Sequence, residues 1–436
     1  MSAEGQPLGG AEGKTFRTTS YPAIANAPLP AEGSASFSNV QFAVIVLAVP
    51  WIVTKLLPFR IGWTFYFILV AILFFPVGMV YWVLVSKYGQ RINEKVPFPG
   101  RPLDDYIDLK SPALQKWLGR KIPMQVFHDA YFDGKVEFKG DVLEIMEYRH
   151  DWASFEFTPE MFRYFFTKFV PEVILHSQSQ DEEQVRDHYD RGDDFYAWFL
   201  GPRMVYTAGI ISDIQRMETL EELQDNKLTM VCEKLNLQKG DRMLDIGYVT
   251  GGTLGKNQTA FGNQRLRENG VLESQGRILC MDFRDIPHEK GHFNKISCLE
   301  MAEHVGIRRY GKFLREVYNL LADDGTMVFQ VAGIRTNWQY EDLNWGLFMN
   351  KYIFPGADAS LPLAWVLESA NFEIKSIDVL GVHYSATLYR WYLNWVSNKD
   401  KVVAKYGIRW YRIWVFFLAY SVILRVFQLM AQSMLR

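Results

Sequence analysis

Cysteine is scarce in this chain of 436 residues, and an excess of either charge is missing. The three cysteines, Cys232, Cys280 and Cys298, form no C-x-x-C pair, so the sequence indicates neither a disulfide framework nor a zinc site. With 47 basic and 49 acidic residues, the chain lacks the positive charge by which proteins bind nucleic acid. We therefore expect reduced thiols in the core, no metal site and no nucleic-acid partner.

Residues 1–38 lack apolar periodicity and are rich in Gly, Ala, Ser, Pro and Glu. A segment of this composition cannot bury enough apolar surface to fold, so we predict a disordered N-terminus. The segment also lacks the apolar stretch of a cleavable signal peptide.

Apolar and aromatic residues are abundant after this point, in two runs at residues 42–57 and 61–85. The second run has 25 residues without a charge, and a helix needs roughly 20 to cross a bilayer. The short link between the runs predicts a transmembrane helical hairpin over residues 39–90. Three basic residues follow it: Lys87, Arg91 and Lys95. They predict a cytosolic body by the positive-inside rule. A buried helical pair in a soluble core is the alternative.

The next segment, residues 97–180, begins with a proline-rich linker at 97–104. Its mixture of short strands and helices predicts a small accessory unit on the lipid side of the protein. An aromatic stretch at residues 155–169 is more typical of a core than of a ligand site.

Residues 181–400 alternate between short apolar strands and helices. Strands are predicted at 243–247, 277–282, 295–299 and 326–331, with an amphipathic helix at 310–321. This alternation predicts an α/β domain with a Rossmann-like, mostly parallel sheet. Sheets of this kind bind ligands at the carboxyl ends of their strands.

Residues 401–436 are predicted to form a C-terminal aromatic helical segment. Its apolar stretch at 410–424 is too short to span a bilayer. We expect it to lie at the membrane interface or to pack on the α/β domain.

Six short blocks resemble motifs of one enzyme family. They are HYDRGDDFY at 188–196, RMVYTAG at 203–209, TLGKNQ at 253–258, MDFRD at 281–285, MAEHVG at 301–306 and HYSATL at 383–388. In this order and spacing they resemble the cyclopropane-fatty-acid synthase family of S-adenosylmethionine-dependent methyltransferases. The resemblance runs from about residue 97 to about 424. Within the family it is to the fungal sphingolipid C9-methyltransferases, which also fit the N-terminal hairpin.

The resemblance implies a site for S-adenosylmethionine. Tyr206 and Thr207 would close over the methionine end of the cofactor, and Phe283 would stack on adenine beside Asp282 and Arg284. Asp245 and Gly247 would meet the cofactor at the end of the first strand. Ribose and carboxylate groups would be held by a second loop: Thr253, Leu254, Gly255, Lys256, Asn257 and Gln258.

The resemblance also implies the chemistry, in which the double bond of a lipid chain attacks the methyl group of the cofactor. The resulting carbocation needs negative charge nearby and a base. Glu303 is the candidate for electrostatic stabilisation or for holding the base. Tyr384 would orient that base, which is a bicarbonate in cyclopropane synthases. His304 is interpreted as structural. Gln330 stands where cyclopropane synthases carry a histidine, which favours a methyl-branched alkene over a ring.

One departure from the family concerns the first crossover of the sheet. The family continues its first strand into a glycine-rich loop and a full helix, whereas here only seven residues separate Asp245 from Thr253. A crossover between parallel strands needs about a dozen residues. Loop and helix are therefore predicted to be absent, with smaller shortenings near residues 361–371 and after Ser421. We expect low stability and weak binding of S-adenosylmethionine.

Taken together, the sequence predicts a membrane methyltransferase that adds a methyl branch to carbon 9 of a sphingoid base, in glucosylceramide biosynthesis. The implied setting is the membrane of the endoplasmic reticulum, with two transmembrane helices and a cytosolic catalytic domain. Two alternatives stay open. One is a synthase of cyclopropane or methyl-branched fatty-acyl phospholipids, and the other is a catalytically inactive, lipid-binding membrane paralogue.

Overall fold

The computed structural model describes twelve ranges of the chain. They are 38–58, 62–88, 100–171, 192–213, 215–246, 252–253, 256–286, 289–305, 309–332, 340–354, 363–424 and 428–435. The predicted disordered N-terminus lies outside them, apart from Ser38.

The predicted hairpin is confirmed as two long helices, α1 (Asn39–Leu56) and α2 (Trp63–Tyr88). The Ser38 side chain caps α1 by accepting a hydrogen bond from the backbone N–H of Gln41. The hydroxyl of Tyr81 on α2 donates to the backbone oxygen of Ser38 at 3.2 Å, so the helices are antiparallel. Both are long and apolar enough to cross a membrane, and α2 has no buried residue before Tyr81. This exposure argues against the alternative of a buried helical pair.

The accessory segment consists of short elements. They are α3 (Leu103–Tyr106), β1 (Ile107–Leu109), β2 (Ile122–Pro123), α4 (Met124–Phe132), β3 (Val136–Phe138), α5 (Val142–Glu147), α6 (Arg149–Trp152), β4 (Ala153–Ser154) and α7 (Pro159–Tyr164). A π-helical turn, Phe165–Phe169, continues α7. Strand β1 pairs antiparallel with β3, and β2 pairs parallel with β4.

The α/β domain begins with α8 (Asp193–Leu200) and α9 (Leu220–Leu235) and then alternates. Its next elements are β5 (Met243–Asp245), β6 (Gly252–Thr253), α10 (Lys256–Glu268), β7 (Leu279–Cys280), β8 (Phe293–Leu299), α11 (Tyr310–Leu320), β9 (Leu321–Ala332), α12 (Tyr340–Phe348), α13 (Leu363–Ser369) and β10 (Phe372–Val379). The four predicted strands and the helix at 310–321 are thus present. Helix α11 forms because its apolar residues recur every three or four positions and are buried.

Three helices and a strand complete the chain: α14 (Gly381–Ser397), α15 (Lys399–Tyr406), α16 (Ile408–Leu424) and β11 (Gln428–Leu435). The main sheet has the order β10-β11-β9-β8-β5, with β5, β8 and β9 parallel and β11 antiparallel to both of its neighbours. In the described part of the chain, β6 and β7 pair only with each other, as a separate parallel pair.

Strand β11 corrects the prediction that residues 401–436 are helical throughout. The strand QLMAQSML contains no β-branched residue, so its sequence carries little strand signal. Its place is set by pairing on both sides, with Met430 opposite Gln330 and Asp378.

The C-terminal helix α16 packs inside the protein, against α14 and the accessory segment. Every side chain from Ile413 to Leu424 is buried. Trp414 and Phe416 share one apolar core with Phe127 and Trp152 of the accessory segment. The aromatic stretch at 155–169 contributes Phe155 and Phe157 to this core, as predicted, while Phe162 is exposed.

The cysteine prediction is correct for one of the three residues. All three are free thiols, but Cys232 and Cys280 are exposed and only Cys298 is buried.

A buried ion pair joins the accessory segment to α12 and α16. Arg149 Nε donates to Glu341 Oε1 at 2.5 Å, and His150 Nε2 lies 3.2 Å from Glu341 Oε2. The hydroxyl of Tyr420 donates to Glu341 Oε1 at 2.9 Å. Because water is excluded from all four groups, removal of one partner leaves the other charge unsolvated.

The substitution Glu341→Gln is therefore expected to lower the free energy of unfolding by about 3–5 kcal/mol. The matched control is Asp225→Asn, in the exposed ion pair between Arg203 and Asp225. That change should cost under about 1 kcal/mol, because solvent screens the pair. Urea unfolding of the full chain in detergent measures both. Equal effects of the two substitutions would contradict the proposed importance of the buried pair.

Candidate active site

The candidate site is at the carboxyl edge of the parallel strands β5, β8 and β9. Asp245 ends β5, Glu300 directly follows β8, and Ala332 ends β9. Because parallel strands end at the same edge, these residues lie side by side. Ser297 Oγ on β8 donates to the Asp245 carboxylate. The N–H of Ile246 donates to the backbone carbonyl oxygen of Ser297 at 2.7 Å.

Glu300 has a backbone conformation that non-glycine residues rarely adopt, with φ of 56°. Its carboxylate Oε1 accepts hydrogen bonds from Thr207 Oγ1 at 2.7 Å and from Gln330 Nε2 at 2.5 Å. A third, longer bond of 3.4 Å comes from the N–H of Ala208. Strained backbone of this kind persists where the surroundings hold it in place, and it clusters at functional sites.

Lys227 of α9 extends into this cluster and is fully buried. Its Nζ donates to Gln330 Oε1 at 2.5 Å, to Ala208 O at 3.1 Å and to Thr207 Oγ1 at 3.2 Å. Burial lowers the pKa of Lys227 to about 8, although the charge of Glu300 opposes this shift. Gln330 thus bridges the lysine and the carboxylate of Glu300, so its amide has a fixed orientation.

Glu303 lies in a short 3₁₀ turn, Ala302–His304, and is buried. Its Oε1 accepts a hydrogen bond of 2.6 Å from the N–H of Ala332, at the end of β9. Burial, together with the charge of Glu300, raises the pKa of Glu303 to about 8. The Glu303 carboxyl is therefore mostly protonated near neutral pH. The neighbouring His304 instead places its ring against Phe354, with the ring centroids 6.3 Å apart.

Helix α14 supplies Tyr384 from the opposite side. Burial and the charges of Glu300 and Glu303 raise the pKa of Tyr384 well above its usual value, so its hydroxyl stays protonated. His383 Nδ1 accepts from the N–H of Ile211 at 3.1 Å. Burial lowers the pKa of His383 to about 4, so this histidine is neutral.

The predicted cofactor residues are only partly described. Tyr206 packs among aromatic rings, with centroids 5.4 Å from Trp391 and 5.6 Å from Phe199. Phe283 has one edge on Phe313 of the core, at 5.0 Å, with the Arg284 guanidinium 5.3 Å from its ring. Gly247, Leu254 and Gly255 lie outside the described residues, as do four side chains of the same region: Thr253, Lys256, Asn257 and Gln258.

Asp282 and Arg284, which were expected beside the adenine, form an ion pair with each other. The Arg284 Nε donates to Asp282 Oδ1 at 2.7 Å, and Arg284 Nη2 donates to Oδ2. Both carboxylate oxygens are thus engaged by the arginine that was expected to stand beside the cofactor with it. A cofactor hydroxyl would have to share them or displace Arg284.

The structure brings Thr207, Glu303 and Tyr384 around a centre that sequence analysis missed, Glu300 with Lys227. Glu300 lies three residues before the recognised Glu303, at the end of a predicted strand, and this position was its only signal. Lys227 gave none, because a lysine on an amphipathic helix is normally solvent-exposed.

Comparison with known proteins identifies the family of this chain. The family model for mycolic acid cyclopropane synthetase matches residues 176–430. Sphingolipid C9-methyltransferase A of Emericella nidulans is 56% identical over 430 residues, which cover 93% of this chain and 83% of the relative. The sphingolipid C9-methyltransferase of Komagataella phaffii is 55% identical over 443 residues, covering 94% and 90% of the two chains.

Among solved structures, mycolic acid cyclopropane synthase CmaA1 complexed with SAH and CTAB has the same fold. It aligns with a TM-score of 0.53 at 24% identity and covers 58% of this chain and 97% of that one. The resemblance drawn from the six motifs is therefore confirmed. We conclude that this chain belongs to the mycolic acid cyclopropane synthetase family of S-adenosylmethionine-dependent methyltransferases.

Proposed function

We propose that this chain transfers a methyl group from S-adenosylmethionine to carbon 9 of the sphingoid base of a sphingolipid, in the synthesis of glucosylceramide. The observation that carries the proposal is its identity of 55–56% to two sphingolipid C9-methyltransferases over more than nine-tenths of its length. The residue at position 330 supports the same choice of product. A glutamine amide engaged by both Lys227 and Glu300 cannot remove a proton from the new methyl group.

The residue types at the sheet edge fit S-adenosylmethionine, which would supply an electrophilic methyl group. Tyr206 and Thr207 would enclose the methionine end, Asp245 would face the ribose side, and Phe283 would pack on the adenine. The half-buried ring of Phe283, at the end of β7, offers an apolar surface for a purine. The loop at 253–258 would hold the remaining polar groups.

The double bond of the acceptor lipid is a weak nucleophile. Catalysis of the methyl transfer therefore depends on holding the double bond against the methyl group and on excluding water. A new carbon–carbon bond to the methyl group leaves a positive charge on the neighbouring carbon of the lipid chain. Loss of a proton from the chain restores a double bond and leaves a methyl branch. The protein must therefore supply a negative charge and a proton acceptor near this carbon of the lipid.

We propose that Glu300 is the base that accepts this proton. Its Oε1 accepts three hydrogen bonds, while no donor to its Oε2 occurs in the described part of the chain. Oε2 can therefore take the proton while Oε1 keeps the side chain in place. Lys227 acts as a positioning residue, because it holds the Gln330 amide that donates to Glu300. A bound bicarbonate, as in cyclopropane synthases, is the competing base.

Glu303 has a different role in this scheme. Since it is mostly protonated near neutral pH, it supplies little negative charge to a carbocation. It fixes the end of β9 through the hydrogen bond from Ala332. The Tyr384 hydroxyl, which stays protonated, is available to orient the acceptor or the base.

The membrane location is proposed from the two N-terminal helices. A hairpin over residues 39–90 would anchor the protein, and the accessory and catalytic units would lie in the cytosol at the endoplasmic reticulum. A lipid acceptor would then reach the site directly from the bilayer.

We also propose that cofactor binding is weakened by a shortened first crossover. The match with the Komagataella phaffii relative spans 443 positions, more than the 436 residues of this chain, so it includes positions that this chain lacks. Residues 247–251, where we place the largest loss, lie outside the described ranges. The separation of β6 and β7 from β5 among the described residues is consistent with this placement.

The function is tested by expression in a fungal strain that lacks 9-methyl sphingolipids. The chain as it stands and a version with a family-type loop and helix after Gly247 are compared by mass spectrometry of sphingoid bases. At least the restored version should produce the methyl-branched base. Methylation of fatty-acyl phospholipids instead would contradict the proposed substrate, and no methylation by either version would favour the inactive paralogue.

In the active version, Glu300→Gln should reduce turnover by about 100-fold or more, because a positioned base contributes about that factor. Glu316→Gln, on the partly exposed side of α11, serves as the control and should leave turnover unchanged. If bicarbonate is the base, Glu300→Gln keeps most of the activity, and depletion of bicarbonate abolishes it.

The pKa of Glu303 gives a prediction for stability. Folding raises this pKa from 4.5 to about 8, so the contribution of Glu303 is complete below pH 4.5 and is lost as the pH rises to 8. Glu303→Gln cannot lose a proton. Its free energy of unfolding relative to wild type should therefore rise by about 1.4 kcal/mol for each pH unit within this window. Denaturant unfolding at several pH values measures the difference, and a difference that does not vary with pH would refute the assigned pKa.

A further inference from the structure

Residues 159–171 form a continuous helix, made of α7, the π-helical turn Phe165–Phe169 and two further residues. Its inner side is tied to the catalytic body. The hydroxyl of Tyr164 donates to Asn350 Oδ1 at 2.6 Å, and Met161 belongs to the apolar core. Its outer side carries Phe162, which is 46% exposed, and the half-buried Phe166.

This outer side touches the membrane hairpin and not only the catalytic body. The ring of Phe75 on α2 lies 5.0 Å from Phe166 and 6.2 Å from Phe165, between ring centroids. Phe162 packs on Phe166 at 4.6 Å, so the apolar row extends away from α2. Phe75 is 43% exposed, and neighbouring apolar side chains of α2, such as Ile72, are exposed as well.

The position of Phe75 along α2 sets the depth of this contact. Trp82, seven residues later, is buried in the apolar core, which marks where α2 leaves the bilayer and joins the catalytic body. Seven residues of helix correspond to about 10 Å. A helix that touches Phe75 is therefore about 10 Å below that boundary, which is the depth that amphipathic interfacial helices reach.

Polar residues of the helix lie on its other sides. The exposed ones are Glu160, Arg163, Thr167 and Lys168. Two of these are basic, as is typical of helices that place an apolar side in the hydrocarbon and a basic side among phospholipid headgroups. The helix thus has both surfaces that an interfacial position requires.

We propose that residues 159–171 are embedded in the cytosolic leaflet, with Phe162 and Phe166 in the hydrocarbon. The inference rests on the proposed membrane location of the α1–α2 hairpin. It places the helix one set of contacts away from the site. Tyr164 binds Asn350, and Phe354, four residues further, packs against Tyr206 and His304 with ring centroids 6.4 and 6.3 Å away.

The test uses the full chain in phosphatidylcholine vesicles with a fluorescent NBD label on single cysteines. Cys232 and Cys280 are replaced by serine, whereas Cys298 is kept, because burial raises the pKa of its thiol and makes it unreactive. Labels are placed at Phe162→Cys, at Thr167→Cys as the control on a polar side of the same helix, and at Phe67→Cys on α2, where the side chain is 60% exposed.

Labels at 162 and 67 should be quenched by nitroxide-bearing lipids and be severalfold less sensitive to aqueous iodide than the label at 167. If the label at 162 responds to iodide as the label at 167 does, the helix lies in water and the inference is wrong. A label at 162 shielded from both quenchers would point to a protein contact and would also overturn it. If the label at 67 escapes the nitroxide lipids, the membrane location itself fails, and the inference fails with it.

Discussion

The ammonium group of Lys227 is buried at the centre of the α/β domain, and the geometry of the site depends on its hydrogen bonds. Through Gln330, Thr207 and Ala208 it joins α9 to β9 and to the segment before α9. Thr207 Oγ1 and the amide nitrogen of Gln330 in turn donate to the carboxylate of Glu300, which directly follows β8. A buried charge is tolerated only where such partners surround it. The side chains in this network therefore depend on one another, and they are Lys227, Thr207, Gln330 and Glu300.

This dependence explains why the site can be assembled although its segments come from distant parts of the sequence. Two sets of hydrogen bonds hold the strained backbone of Glu300 in place. Its N–H donates to the backbone carbonyl oxygen of Gln330 at 2.9 Å, and its carboxylate accepts the bonds described above. Helix α14 adds a second constraint, because Thr387 Oγ1 accepts from the N–H of Gly209 at 2.9 Å. The part of the site around Glu300, Glu303 and Tyr384, called here the acceptor side, is thus held in place by several independent contacts within the described residues.

Sequence patterns predicted the hairpin, the parallel strands and the amphipathic helix because hydrophobic periodicity and length determine these elements locally. Strand β11 could not be found in this way. Its residues have weak strand propensity, and pairing with β9 and β10 decides their conformation. The site shows the same division. Glu303 and Tyr384 lie in recognisable motifs, whereas the importance of Lys227 depends on burial, which only the packing of α9 on β9 reveals.

The cofactor side of the site contrasts with this well-bonded acceptor side. In the described residues, β6 and β7 form their own pair, and the Asp282 carboxylate is engaged by Arg284. We propose that the first crossover limits cofactor binding, whereas the residues around Glu300 are held in place by their hydrogen bonds. Calorimetric titration of S-adenosylmethionine measures this directly, on the purified chain and on a version with a family-type loop and helix after Gly247. The account predicts that the restored version binds S-adenosylmethionine more tightly than the chain as it stands, and equally tight binding by both would contradict it.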